Sequence, residues 1–211
     1  MLSRLQKYAS LIRFSHTVFA LPFALTGALF ANEQTGLLWD RVGWILLAMF
    51  LARTAAMGFN RIVDERFDAL NPRTKNREIP QREVSLVEAS TIVFVSSIAF
   101  VATTYPLGEL CFVLSPVALV IVFWYSLAKR FTYYTQLFLG LALAIAPVGG
   151  WLATGGGSSW APWLLAVATG FWVAGFDILY ACEDLEFDRT QGLRSIPVRY
   201  GVARSLWISR G

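Results

Sequence analysis

The segment GWILLAMFLARTAAMGFN, residues 43–60, runs without a break into RIVDERFDAL, residues 61–70. Its first part approaches the roughly 20 apolar residues needed to cross a bilayer. Its second part sets Asn60, Asp64 and Asp68 at successive i, i+4 positions, which on a helix stack on one face. The same juxtaposition recurs late in the chain. There FWVAGFDILYACE, residues 171–183, leads into DLEFD, residues 184–188, and Asp177, Asp184 and Asp188 share a helix face. Like charges crowded where a membrane helix meets water are repulsive and poorly solvated on their own. Such clusters commonly hold divalent cations, and the cations in turn hold phosphates.

The rest of the chain supports a membrane setting. Of its 211 residues, 56% are hydrophobic and only 15% are charged, against about 25% charged in soluble domains. Six spans are expected, at about residues 11–31, 43–60, 86–104, 107–127, 134–153 and 162–181. Arg4, Lys7 and Arg13 precede the first, as in a secretory leader. The apolar run that follows is too long for one and has no small-x-small cleavage site, so it reads as a helix. Cys111 and Cys182 fall in or beside different spans, with no metal-ligand spacing, and read as packing residues.

Basic residues set the orientation. With the N-terminus in the cytoplasm, every Lys and Arg except Arg41 and Arg53 falls on the inner side or its loops. The net charge of +4 therefore describes topology, and a nucleic-acid partner is not expected. The expected setting is the bacterial inner (plasma) membrane, multi-pass, with membrane lipid around the chain. Its N-terminus and both acidic clusters would be cytoplasmic.

The second cluster echoes the first. Asp64-x-x-Phe-Asp68 leads on to Arg77-Glu-Ile-Pro80, and Asp184-x-x-Phe-Asp188 leads on to Arg194-Ser-Ile-Pro197. Upstream, Arg13-Phe-Ser15 matches Arg130-Phe-Thr132. The copies are four expected helices apart, and an even number leaves them parallel with matching ends on one side. The expected fold is thus an all-α, polytopic transmembrane helix bundle. It would hold a parallel four-helix repeat whose second copy is truncated, in a single, C-terminally incomplete domain over 1–211.

Other residues are weighed by depth. Asp177 is an intramembrane acid, a functional candidate by position. Arg53 lies within a span, two turns below Asn60. Arg13, Lys129 and Arg130 open helices at the depth of the acids and could hold a carboxylate or a diphosphate, and Tyr125 stands close by in sequence. The run Arg73–Arg77 reads as an inner-loop topology signal, His16 as a packed polar residue, and Glu65, Glu78, Glu83, Glu183 and Glu186 as solvated caps. The turn at Gly155–Ser159 lacks the Lys-Ser/Thr of a phosphate loop.

Asn60-x-x-x-Asp64-x-x-x-Asp68 with Asp184-x-x-x-Asp188, on the second and sixth spans, resembles the UbiA superfamily of intramembrane aromatic prenyltransferases. The likeness runs from Arg13 to about Gly201. Arg53–Arg61 and Phe176–Asp184 look similar to the 4-hydroxybenzoate polyprenyltransferase branch, which includes enzymes of the futalosine route to menaquinone. Members usually carry Asn-Asp where this chain has Asn60-Arg61, and their fold has nine helices. The resemblance implies Mg²⁺ held by Asn60, Asp64, Asp68, Asp184 and Asp188. It implies transfer of a polyprenyl group from its diphosphate to an aromatic acid, 4-hydroxybenzoate or 1,4-dihydroxy-6-naphthoate, in ubiquinone or menaquinone biosynthesis. In that scheme Asp64 and Asp184 serve catalysis through the metal and Asp177 assists at the phenol. Arg53 and Lys129 stabilise the leaving diphosphate, and Arg13 and Tyr125 hold the acceptor carboxylate. Two other classes compete. A cation-coupled transporter would place its charges near the bilayer midplane on broken helices, and a lipid head-group transferase would carry an Asp-Gly-x-x-Ala-Arg type of motif, which is absent.

Overall fold

The computed structural model describes residues 4–11 and 14–210, with side chains placed from 7–11 and from 19–210. Every element among them is helical. α1 (Arg4–Leu11) precedes α2 (Phe14–Thr35), α3 (Leu38–Leu70), α4 (Leu86–Thr104), α5 (Glu109–Leu127), α6 (Thr135–Ala153) and α7 (Ala161–Glu183). A short α8 (Leu185–Thr190) and α9 (Ile196–Ile208) follow, and single 3₁₀ turns at Tyr105–Leu107 and Ala128–Arg130 extend α4 and α5.

Five helices among the described residues are long and apolar enough to cross a membrane: Leu38–Leu70, Leu86–Leu107, Glu109–Arg130, Thr135–Ala153 and Ala161–Glu183. The remaining expected span, 11–31, corresponds to α2, a helix of 22 residues. The difference from expectation lies in α3. It continues unbroken through the acidic motif for 33 residues, about 50 Å at 1.5 Å per residue. That exceeds a hydrocarbon core of about 30 Å, so its charged end stands clear of the apolar layer. α9 is also irregular. Gly201, at φ 76°, interrupts it, and a fresh turn starts at Val202.

The connections alternate between the two ends of the bundle. The α3–α4 loop, the α5–α6 turn and the α7–α9 segment meet at one end, where Arg73 pairs with Asp184 and the Arg194 amide donates to the Lys129 carbonyl at 2.9 Å. At the opposite end Arg41 of α3 donates to the carbonyls of Leu107 (2.6 Å) and Ala153 (2.8 Å). One guanidinium thus ties the ends of three spans and satisfies carbonyls that helix termini leave open. α4 starts on a reciprocal cap, with the Ser85 hydroxyl accepting from the Glu88 amide and the Glu88 carboxylate from the Ser85 amide.

α2 and α6 pack almost backbone to backbone. A Cβ at Gly27 would collide with the Pro147 carbonyl, and one at Gly150 with the Ala24 carbonyl. Without a hydrophobic force between helices in lipid, such small residues let van der Waals contact hold the pair. Gly150→Val is expected to destabilise the bundle by about 1–3 kcal/mol, read as a lower midpoint in thermal unfolding of the detergent-solubilised protein. Gly149→Ala, next to it but with open space around the added carbon, should leave the midpoint unchanged or raise it.

Candidate active site

The motif end of α3 carries its acids in a register of one turn. Asn60 Nδ2 donates to Asp64 Oδ2 at 3.1 Å, and Asp64 Oδ1 lies 3.6 Å from an Arg130 guanidinium nitrogen. One turn on, buried Asp68 takes both oxygens to Arg77 at 2.6 Å, with Arg61 3.9 Å away. The loop then turns back. Asn71 Nδ2 donates to Asp184 Oδ1 at 3.3 Å, and Arg73 grips the same carboxylate with Nε at 3.0 Å and with its terminal nitrogen. The two acidic motifs, far apart in sequence, are therefore stitched together by residues just beyond the first.

The second motif is not one continuous helix, as its spacing suggests. α7 ends at Glu183 and the backbone bends at Asp184 (φ −95°, ψ 5°) before α8. The Asp188 amide still donates to the Asp184 carbonyl at 2.8 Å, so the acids stay one turn apart while the bend turns Asp188 inward. Asp188 is 1% exposed, and its Oδ2 has no hydrogen-bond partner among the described residues. A buried carboxylate oxygen without a donor is costly. Burial pushes the Asp188 carboxyl above its ordinary range, the Lys129 charge opposing and the Asp184 charge reinforcing the shift. Burial also acts on Asp184, but there the bond and charge of Arg73, with Asn71 and Lys129, outweigh it and hold the carboxyl low.

Lys129 is the hub. It sits in the 3₁₀ turn after α5, and its charge acts on Asp188, Asp64, Asp177 and Asp184, which come from both motifs. Asp177 lies deeper on α7 and has Lys129 as its cationic neighbour. Arg53, two turns below Asn60, stands apart from this group. Its Nε has no partner among the described residues, one terminal nitrogen lies 3.6 Å from Met57 Sδ, and the Tyr125 phenol is its titratable neighbour. Arg13 lies outside the described residues, as does the side chain of His16.

Arg53 and Tyr125 both line a cavity of about 380 Å³. Ile45, Met49, Phe100, Ile121 and Leu143 are among its apolar walls, and it reaches toward the opposite end of the bundle at Leu107 and Ala153. A single guanidinium and a phenol in a greasy chamber provide a few convergent polar groups in an otherwise apolar pocket, the common form of a small-molecule site.

Among the described residues, no three acidic, histidine or cysteine side chains stand close enough to hold an ion as they are. Arginines interleave three of them, Arg130 at Asp64, Arg77 and Arg61 at Asp68, and Arg73 at Asp184. The donor set nevertheless suits a hard divalent cation: all oxygen, carboxylate and amide, with one Asp188 oxygen unclaimed. Reading along the sequence missed Asn71 and the specific pairing of Arg73 and Arg77. Asn71-Pro72 directly after the motif was the available signal, since Asn before Pro marks a turn.

The family pattern of the UbiA prenyltransferases matches residues 20–210. The chain belongs to this family. Relatives named 4-hydroxybenzoate octaprenyltransferase include one from Marinomonas sp. (strain MWYL1), 32% identical over 95% of this chain and 72% of its own length. One from Vibrio campbellii is 31% identical over 77% of this chain and 57% of its own length. The match thus spans little more than half of that curated relative. Among solved structures, the apo UbiA homolog from Aeropyrum pernix K1 superposes with a TM-score of 0.86 at 37% identity, covering 92% of this chain and 73% of that one. A UbiA homolog from Archaeoglobus fulgidus bound to GPP and Mg²⁺ gives 0.79 at 25% identity, covering 97% and 72%.

Breaking the Arg77–Asp68 pair should strand a buried charge. Arg77→Leu is expected to cost about 1–3 kcal/mol of stability, and adding Asp68→Asn should recover most of it. A double-mutant cycle on thermal unfolding measures the coupling.

Proposed function

We propose that the chain serves a divalent-metal-dependent intramembrane prenyltransferase. It would move a polyprenyl group from its diphosphate to a carboxylated phenol, with 4-hydroxybenzoate as the acceptor, on the route to a quinone. The observation that carries this reading is the convergence of two acidic motifs and Lys129 on one end of a bundle whose interior holds a greasy chamber with one guanidinium. The names of the relatives and the ligands of the Archaeoglobus structure point the same way. The positive-inside bias favours a cytoplasmic site.

Asn60, Asp64, Asp68, Asp184 and Asp188 are the donors that would hold Mg²⁺, which when bound supplies positive charge for the diphosphate. Arg73, Arg77 and Arg130 add planar guanidinium donors suited to phosphate oxygens. As the allylic C–O bond breaks, its electrons leave with the diphosphate, and Lys129 stabilises the growing negative charge. The allylic cation needs shelter from water, which the apolar cavity walls give. The acceptor's carboxylate is held by Arg53 and its phenol is oriented beside Tyr125. This moves Arg53 from the diphosphate role that the resemblance implies, because its neighbours are Tyr125 and cavity walls. The ring carbon ortho to the hydroxyl forms the new C–C bond, and its proton passes to the released diphosphate as aromaticity returns. Asp177, beside Lys129 and deeper than the motif acids, assists by drawing the phenolic proton. A polyprenyl tail far exceeds the cavity, so it passes between helices into lipid.

Membranes containing the protein, given labelled prenyl diphosphate with 4-hydroxybenzoate or 1,4-dihydroxy-6-naphthoate, should form prenylated acid only with Mg²⁺, and mass analysis of the lipid extract identifies the acceptor. Asp64→Ala and Asp184→Ala should each lower the rate by about 10²–10³-fold or more while the protein stays in the membrane. Retained activity in both would reject the metal-site assignment. Uptake of a solute by proteoliposomes without diphosphate release would instead favour a transporter. Arg53→Gln should raise the acceptor KM by about 10–100-fold, the worth of one charge-assisted hydrogen bond, and leave the donor KM unchanged.

A further inference from the structure

The α5–α6 turn and the start of α9 build a second basic cluster that the proposed chemistry does not use. The Arg199 guanidinium lies 5.6 Å from the Tyr133 ring, 5.5 Å from Tyr134 and 5.2 Å from Tyr200. Arg194 lies 5.5 Å from the same Tyr133 ring and donates to the Phe131 carbonyl at 2.6 Å. The Tyr134 and Tyr200 hydroxyls share a hydrogen bond of 2.9 Å. Both arginines are exposed, and neither pairs with a carboxylate among the described residues. The rings hold the guanidinium planes in place while leaving most of their donors to solvent. Such an excess of oriented positive charge calls for an anion.

The surroundings say which kind. The cluster lies at the motif end, just where α6 enters the apolar layer, and Phe131 and Leu137 beside it are 45% and 46% exposed. Phe131 continues an edge-to-face aromatic row from Trp124 to Phe138. Rings of this sort settle at the headgroup level of a bilayer, and basic groups there attract anionic lipid. We propose that Arg194, Arg199 and the tyrosines around them form a binding site for an anionic phospholipid. Its phosphodiester sits against the two guanidiniums and the Tyr134–Tyr200 hydroxyls, and its acyl chains run down the α6 face past Phe131 and Leu137. The site anchors the start of α9 to the α5–α6 turn, and so to the backbone of Lys129.

The test uses purified protein in detergent, titrated with phosphatidylglycerol, with phosphatidylcholine and with inorganic phosphate, followed by native mass spectrometry and thermal unfolding. Phosphatidylglycerol should bind the wild-type chain and raise its midpoint, and phosphatidylcholine and phosphate should not. Arg194→Gln and Arg199→Gln should each weaken phosphatidylglycerol binding by about fivefold, and the pair by more, with little change in midpoint when only phosphatidylcholine is present. Equal stabilisation by the two lipids, or unchanged phosphatidylglycerol binding in the double variant, would overturn the proposal. So would full replacement of the effect by inorganic phosphate, or an equal loss of midpoint in both lipids, which would make the cluster a structural latch alone.

Discussion

A carboxylate taken out of water must find a positive charge or a set of donors, or it is driven to protonate. Four such groups, Asp64, Asp68, Asp184 and Asp188, converge at one end of this bundle, and most of what surrounds them follows from that demand. Arg77 and Arg73 reach back from the α3–α4 loop, and Arg130 reaches over from the α5–α6 turn. Lys129 is drawn among carboxylates of both motifs. Charge acts there beside a small apolar cluster, in which Ile79 and Val84 of the α3–α4 loop are buried with Leu11 and Ala89. In a low-dielectric setting these pairings are strong, but each arginine is also the kind of partner that a phosphate can claim.

The remainder of the molecule keeps this polar end separate from an apolar interior. Close packing of α2 against α6 draws two helices together at Gly27 and Gly150, while α3, α4 and α5 complete the walls of a chamber. Arg41 closes the far end by tying three spans through backbone carbonyls. Arg53 and Tyr125 mark the level where the chamber meets the charged end. A reaction that begins with an anionic leaving group and proceeds through a water-sensitive cation needs that arrangement: ionic contacts on one side and a dry wall on the other.

Much of the fold could be read from local pattern. Apolar runs located α4 to α7 to within a few residues, because length and hydropathy constrain membrane helices strongly, whereas α3 starts five residues before and ends ten after the expected 43–60. The two acidic motifs were visible from spacing and recurrence. Their register on α3 follows directly from helix geometry, whereas the bend at Asp184 did not show, since Asp184-Leu-Glu-Phe-Asp188 has no Pro or Gly to break a helix. Which arginine serves which acid was also hidden. The Arg73–Asp184 pair joins residues 111 apart in sequence, and loop geometry that no periodicity records decides it. Arg41 looked like a lone outer charge, and its role depends on where two other spans end. The separation of Arg53 from the carboxylates is likewise a matter of depth and helix rotation, which shows only once the spans are packed.

The central claim is that both motifs together form one cation and diphosphate site. Its most direct test is Mn²⁺ binding measured by electron paramagnetic resonance, with an unreactive prenyl thiodiphosphate present. The expected result is tight binding in the wild-type chain that is lost to the same extent in Asp64→Asn and in Asp184→Asn. Mn²⁺ affinity that survives unchanged when either motif is altered alone would contradict it.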